Sequence, residues 1–145
     1  MAGGAGLERF VQAQDSGSSY VRALAELRRG RKSSHWMWFV FPQVAGLGRS
    51  ALAQTYAIAS LAEARDYLAH PVLGPRLREC ADALLGLEGR SAEDVLGSVD
   101  AVKLRSCITL FALADPAEVR FARLLDRYFG GRPDPATQQI LAGPA

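Results

Sequence analysis

An all-α, compact single-domain bundle of about six to eight short helices is what this sequence predicts, on three observations. Apolar residues return at three- and four-residue intervals along most of the chain. Helix-start residues (Ser, Asp, Pro) and helix-stop glycines punctuate those stretches. Strand patterns are scarce, with the aromatic run Trp36 to Phe41 as the one candidate. At 145 residues the chain is long enough to bury a core without staples, and 49% apolar residues suits a globular domain.

The elements follow in order. Tyr20, Ala23, Leu24 and Leu27 recur at helix spacing before a stop at Gly30. Ser50 can cap a helix from Ala51 to Ile58. Ser60 with Glu63 reads as a capping box opening a helix through Tyr67 and Leu68, with His70 as a C-terminal capping residue. Pro71 suits the first turn of the next helix, whose Leu73, Leu77, Cys80, Ala81 and Leu84 make one stripe. Ser91 with Asp94 starts a short helix that Gly97 ends. Asp100 is then expected to cap a helix carrying Val102, Cys107, Ile108, Leu110 and Phe111.

Asp115-Pro116-Ala117-Glu118 combines an N-cap, a first-turn proline and a capping-box acid, the most strongly signalled helix start. Val119, Ala122, Leu125 and Phe129 would give its buried face, and Gly130-Gly131 its end. Asp134-Pro135 opens a last short helix ending near Leu141. The expected organisation is one helical domain over residues 7–141, between a disordered N-terminal tip at 1–6 and a C-terminal tip at 142–145. Trp36 to Phe41, limited by Pro42, reads as a buried helix turn or an extended plug, since a lone strand has no partner.

Seventeen basic and fifteen acidic residues leave a charge of +2, too small on totals to signal nucleic-acid binding. The excess is uneven: through residue 72 there are eight Lys/Arg and five Asp/Glu, and beyond it nine and ten. Cys80 and Cys107 form no CxxC or metal-ligand cluster, so two buried free thiols are expected, with no metal and no cofactor. The opening residues lack a signal-peptide pattern, and no apolar run reaches the ~20 residues of a membrane span. A cytoplasmic location with no membrane partner is the expectation.

Residues 32–50 concentrate the unusual chemistry: both tryptophans, two of six phenylalanines and one of two histidines, flanked by Arg28, Arg29, Arg31, Lys32 and Arg49. Such a block is either the keystone of a small core or a pocket for an anionic, flat-ringed ligand. In the ligand reading Trp36 or Trp38 stacks a ring while His35 and Gln43 hydrogen-bond it. In the structural reading the indoles are core, His35 satisfies nearby backbone, and Gln43 fixes a loop. Gly46-Leu47-Gly48-Arg49-Ser50 can meet phosphate through a helix start and the Arg49 guanidinium, or be an ordinary loop with a serine cap. It is not a P-loop. Lys103, Ser106 and Thr109 keep to one side of their helix and offer a cation and two hydroxyls if that side meets the aromatic block. No hydrolase triad or nucleophile elbow is present.

With Leu7-Glu8-Arg9-Phe10-Val11, Gly30-x-Lys32, His35-Trp-Met-Trp-Phe-x-Phe-Pro-Gln43, Gly46-Leu-Gly48-x-Ser50, Tyr56-x-Ile58, Tyr67-Leu68-x-His70-Pro71 and Asp100-x-x-Lys103 in view, the chain resembles a bacterial family catalogued as domain of unknown function 1810. The resemblance spans about residues 7 to 141. It implies a compact, mainly helical domain without a settled activity. Tyr56 and Lys103, both within that pattern, are also site candidates. Some members are labelled "calpastatin", a protease-inhibitor label that suits a chain built to bury a core badly. Cys107 stands where the family pattern leads one to expect a second small hydroxyl residue. A looser similarity runs to helical families that handle ADP-ribose or cleave N-glycosidic bonds.

The expectation is therefore binding of a small anionic, nucleotide-like ligand of ADP-ribose type by Lys32, His35, Trp36, Trp38, Gln43, Arg49, Ser50, Tyr56 and Lys103. One alternative is an N-glycoside-cleaving or ADP-ribose-processing enzyme with His35 or Glu63 as acid/base, although the motif holds no carboxylate of its own. Another is a protein-interaction module in which the aromatic segment is purely structural. Burial of the rings separates these readings.

Overall fold

The computed structural model describes the backbone of residues 2–143 and the side chains of residues 6–143. Ten α-helical segments succeed one another among them. They are α1 (Ala2–Asp15), α2 (Ser19–Arg29), α3 (Met37–Val40), α4 (Ala51–Thr55), α5 (Leu61–Ala69), α6 (Leu73–Leu85), α7 (Ala92–Leu96), α8 (Ser98–Ala114), α9 (Val119–Phe129) and α10 (Pro135–Ala142). The all-α bundle is as the sequence predicts. The count exceeds six to eight because α1 has little helix-start chemistry of its own and α3 is a single turn. Of the expected tips, Met1, Pro144 and Ala145 lie outside the described residues.

The centre of the bundle is α8, whose Leu104, Cys107, Ile108, Leu110, Phe111 and Ala114 are all buried. A helix apolar on nearly every side must be enclosed. Here α5, α7, α9 and α10 surround it. Phe111 links the rings of Tyr67 and Phe121, with centroids 5.3 and 5.9 Å away. Cys80 and Cys107 are free, buried thiols in this core. Burial pushes Cys80 up to about 12 and Cys107 well above its ordinary value.

Several starts are capped as expected. Ser50 accepts from Ala53 N–H at 3.1 Å, Ser60 from Glu63 N–H at 3.1 Å, and Asp134 from Thr137 N–H at 3.0 Å. Ser91 and Asp94 make a full capping box. Other details differ, among them Pro71, which lies in the turn before α6 and not in its first turn. Asp115–Glu118 is a turn and α9 begins only at Val119, because Glu118 is drawn into ion pairs with Arg78 and Arg120. The buried face of α9 is therefore Phe121, Leu124 and Leu125, while Val119 is 65% exposed and Ala122 exposed. Asp100 caps nothing, since α8 already starts at Ser98. His70 closes α5 but does more for α6: its Nδ1 accepts from the N–H groups of Val72 and Leu73, at 3.1 and 3.3 Å.

The segment Trp36–Phe41 is a buried helix turn. Helix α4 stops at Thr55, short of Ile58, because Ile58 is used elsewhere. Its N–H donates to Gln43 O at 2.9 Å and its carbonyl accepts from Ala45 N–H at 2.8 Å, a single parallel bridge. That bridge ties the segment before α4 to the segment after it.

Candidate functional site

The aromatic segment hangs from α2 and leans on the first turns of α8. Its anchor is Glu26, a residue that the stripe Tyr20, Ala23, Leu24, Leu27 gave no reason to single out. Glu26 lies on the inward side of α2 and is only 2% exposed. Its carboxylate accepts from Ser33 N–H (2.7 Å), Ser34 N–H (3.0 Å), Ser34 Oγ–H (2.5 Å) and Trp36 Nε1–H (2.9 Å). Burial alone raises a carboxyl, but the donors from Ser34, Ser33 and Trp36 outweigh it and hold Glu26 down at about 2. A charged acceptor gathering several donors makes each bond stronger than a neutral one.

Trp36 is 1% exposed, with its N–H spent on Glu26 and its ring 5.2 Å from Lys32 Nζ. Phe41 is equally buried, and the Trp36 and Phe41 centroids are 6.3 Å apart. Trp36 thus has no open face on which a ligand ring could lie. Trp38, two residues on, is half-buried and carries Lys103 Nζ at 5.4 Å from its ring centroid.

Asp100, misassigned as a cap, is the electrostatic centre of this region. Its carboxylate takes Lys32 Nζ at 3.0 Å on one oxygen and Lys103 Nζ at 3.6 Å on the other. The sequence spacing does bring Lys103 and Ser106 against the aromatic block. The hydroxyls are not free, however. Ser106 Oγ accepts from Gln43 Nε2 at 2.7 Å and donates to Lys103 O at 3.2 Å. Thr109 Oγ1 donates to Arg105 O and accepts from Asp134 N–H, both at 2.8 Å. Gln43 fixes the loop through Ser106, and its Oε1 has no hydrogen-bond partner among the described residues.

The remaining candidates are dispersed. His35 is exposed beside the Glu26 anchor. Arg49 is exposed, and its carbonyl accepts from Gln54 Nε2 at 3.0 Å. Ser50 serves as the α4 cap. Tyr56 is half-buried among Phe10 and Phe39, with centroids 5.7 and 5.5 Å away. Glu63 is occupied at the start of α5, accepting from Ala59 N–H at 2.8 Å and facing Arg9 at 3.8 Å. That engagement places it in helix capping. Gly48 packs closely on α4: a Cβ there would sit 2.4 Å from Ala53 Cβ.

The hollows lie elsewhere. One of about 350 Å³ is lined by Asp82, Asp115, Glu118, Arg120 and Arg123, with Arg120 paired to both Asp82 and Glu118. Another of about 300 Å³, nearly all apolar, lies between Leu61, Leu113 and Leu141. Neither includes a residue of the aromatic segment. Among the described residues, no group of three or more His, Cys, Asp or Glu is placed to hold a metal ion, and no helix is long and apolar enough to cross a membrane.

The crystal structure of the conserved hypothetical protein Rv1873 from Mycobacterium tuberculosis is similar, with a TM-score of 0.91 and 50% sequence identity. The likeness covers 95% of this chain and 97% of that one. No curated protein matches the chain. A family model matches residues 4–141, which takes in α2, the Glu26 anchor, the aromatic segment and all of α8, so the chain belongs to the family described as Protein of unknown function (DUF1810).

Proposed function

We propose that the chain binds a small anionic ligand of nucleotide type, in the ADP-ribose class, at the face where Trp38, Lys103, Lys32 and Gln43 meet. One observation carries the reading: two lysines converge on the single carboxylate of Asp100, at 3.0 and 3.6 Å, leaving one positive charge uncancelled beside a half-buried indole. A phosphate would take that charge, a flat ring the open part of Trp38, and the free Gln43 Oε1 a ring or ribose donor. Trp36 supports this face from beneath and does not touch the ligand.

A second reading, in which the segment is purely structural, draws support from the burial of Trp36 and Phe41. Thermal shift separates the two. ADP-ribose, NAD, AMP and inorganic phosphate are titrated against the protein and against Lys103→Ala. A ligand at one hundred times its dissociation constant stabilises by about 2.7 kcal/mol, or a rise of about 5–10 °C here. The binding reading expects that rise with ADP-ribose and its loss in Lys103→Ala. No rise with any of the four supports the structural reading.

A further inference from the structure

The turn of Glu26 into the core has a consequence on the opposite side of α2. Glu26 is the single acidic residue among Ser19–Arg29, so the outward side of that helix shows only arginine charge. Arg22 and Arg29, both exposed, stand seven residues apart on one side, about 10 Å along the axis. Gly30 then turns the chain with a left-handed φ of 81° and brings exposed Arg31 round the helix end. Arg90, from the loop before α7, joins them by donating to Gly30 O at 2.8 Å. Its guanidinium lies so close over Gly30 that a Cβ there would meet it at 2.9 Å.

Arg22, Arg29, Arg31 and Arg90 have no ion-pair partner among the described residues. One arginine at the end of α2 answers the helix dipole. The others exceed that need: Arg22 stands about two turns earlier, and Arg90 brings a further cation to the same end from outside the helix. All four arginines are exposed, and none lines the hollows described above. Spaced guanidiniums on an open surface suit a ligand whose phosphates repeat along a line better than a lone phosphate, which needs an enclosing site.

We infer that the outward side of α2 and the Gly30 turn form a docking strip for the phosphodiester backbone of a nucleic-acid strand. The inference is independent of the Trp38 face. Contact is through backbone phosphates, without base reading, because the nearest indole, Trp36, is enclosed. The net charge of +2 is a total over the whole chain and does not report how the arginines are distributed.

Fluorescence anisotropy with a labelled single-stranded oligothymidylate tests it. Binding is expected with a dissociation constant of about 10⁻⁴–10⁻⁶ M, weakening about 50-fold over a fourfold rise in salt if four phosphates are neutralised. The double variant Arg29→Glu/Arg31→Glu should lose about tenfold or more at low salt. Both side chains are exposed and without an ion pair, so reversing them at the end of α2 should lower the melting temperature only slightly, and circular dichroism at the assay temperature should show the variant folded, which keeps a loss of binding interpretable. Three results would overturn the inference: no anisotropy change up to about 10⁻⁴ M protein, binding that the double variant leaves intact, or association with anionic phosphatidylserine vesicles in place of the oligonucleotide.

Discussion

Trp36 Nε1 donates to Glu26 Oε1 across 2.9 Å, and neither residue is more than 2% exposed. The pair ties the end of the α2–α3 loop to the inward side of α2. Without it, the indole N–H, two backbone N–H groups and the Ser34 hydroxyl would be left facing a site with no other acceptor. Unsatisfied buried donors cost about 1–3 kcal/mol each.

Replacing Glu26 with Ala is therefore expected to lower stability by about 3–5 kcal/mol, more than most single changes. Urea unfolding measures this directly. Glu26→Gln retains one acceptor oxygen and should cost less than half as much. A loss under about 1 kcal/mol in Glu26→Ala would show that water replaces the carboxylate.

Acid should act through the same group. The carboxyl is held at about 2 in the fold against an ordinary 4.5. A depressed carboxylate stabilises the fold above the unfolded pKa and loses that contribution as pH falls through the folded one. Stability should thus fall between pH about 4.5 and about 2. The fall should be shallower in Glu26→Gln, as read from unfolding curves at each pH.

Gly74 stands where α6 meets the end of α5. A Cβ at this position would come within 2.1 Å of Leu68 O, a backbone atom with little room to move. Gly74→Ala should cost about 1–3 kcal/mol despite the better helix propensity of alanine. Thermal unfolding gives the sign, and stabilisation would mean that the two helices separate readily.

His70 accepts the N–H groups of Val72 and Leu73, at the start of α6, on Nδ1, so its proton resides on Nε2, which faces Glu8 at 3.3 Å. His70→Ala should cost about 1 kcal/mol, as for other lost caps. His70→Asn should recover much of this, because its short side chain still offers an acceptor. Equal losses in both would assign the effect to packing.

Both thiols should be unreactive in the native protein. Cys80 and Cys107 are buried and burial disfavours their thiolates. Ellman's reagent should find no fast-reacting thiol in buffer and two in denaturant. A fast thiol in buffer would indicate local opening of α6 or α8.

The helices themselves were legible because caps and apolar stripes are local: Ser91 and Asp134 each cap the N–H three residues on. The misplaced start of α9 shows where local signals stop. Asp115-Pro116 has the right chemistry, but ion pairs from Arg78 and Arg120 draw Glu118 out of the first turn. The candidate site was legible in part. Lys32 and Lys103 share Asp100, Lys103 lies over Trp38 and Gln43 bonds Ser106 on the next turn of α8, whereas Ser50, Tyr56 and Glu63 are engaged locally and Arg49 is exposed apart from them. Glu26 went unread because an acid beside an apolar stripe is ordinary on a helix surface, and only its partners distinguish it.

By itself, then, the sequence determined an all-α domain, several of its helix boundaries, its free thiols and the family to which it belongs. Periodicity and capping are properties of a few neighbouring residues. Only the tertiary structure decided that Trp36 is enclosed while Trp38 is half-open, and that Asp100 gathers two lysines. It also turned the single carboxylate of α2 inward and left arginines outward. These outcomes depend on which way each side chain faces once α2, α3 and α8 pack together, and long-range packing of that kind is set by the whole core and not by local spacing.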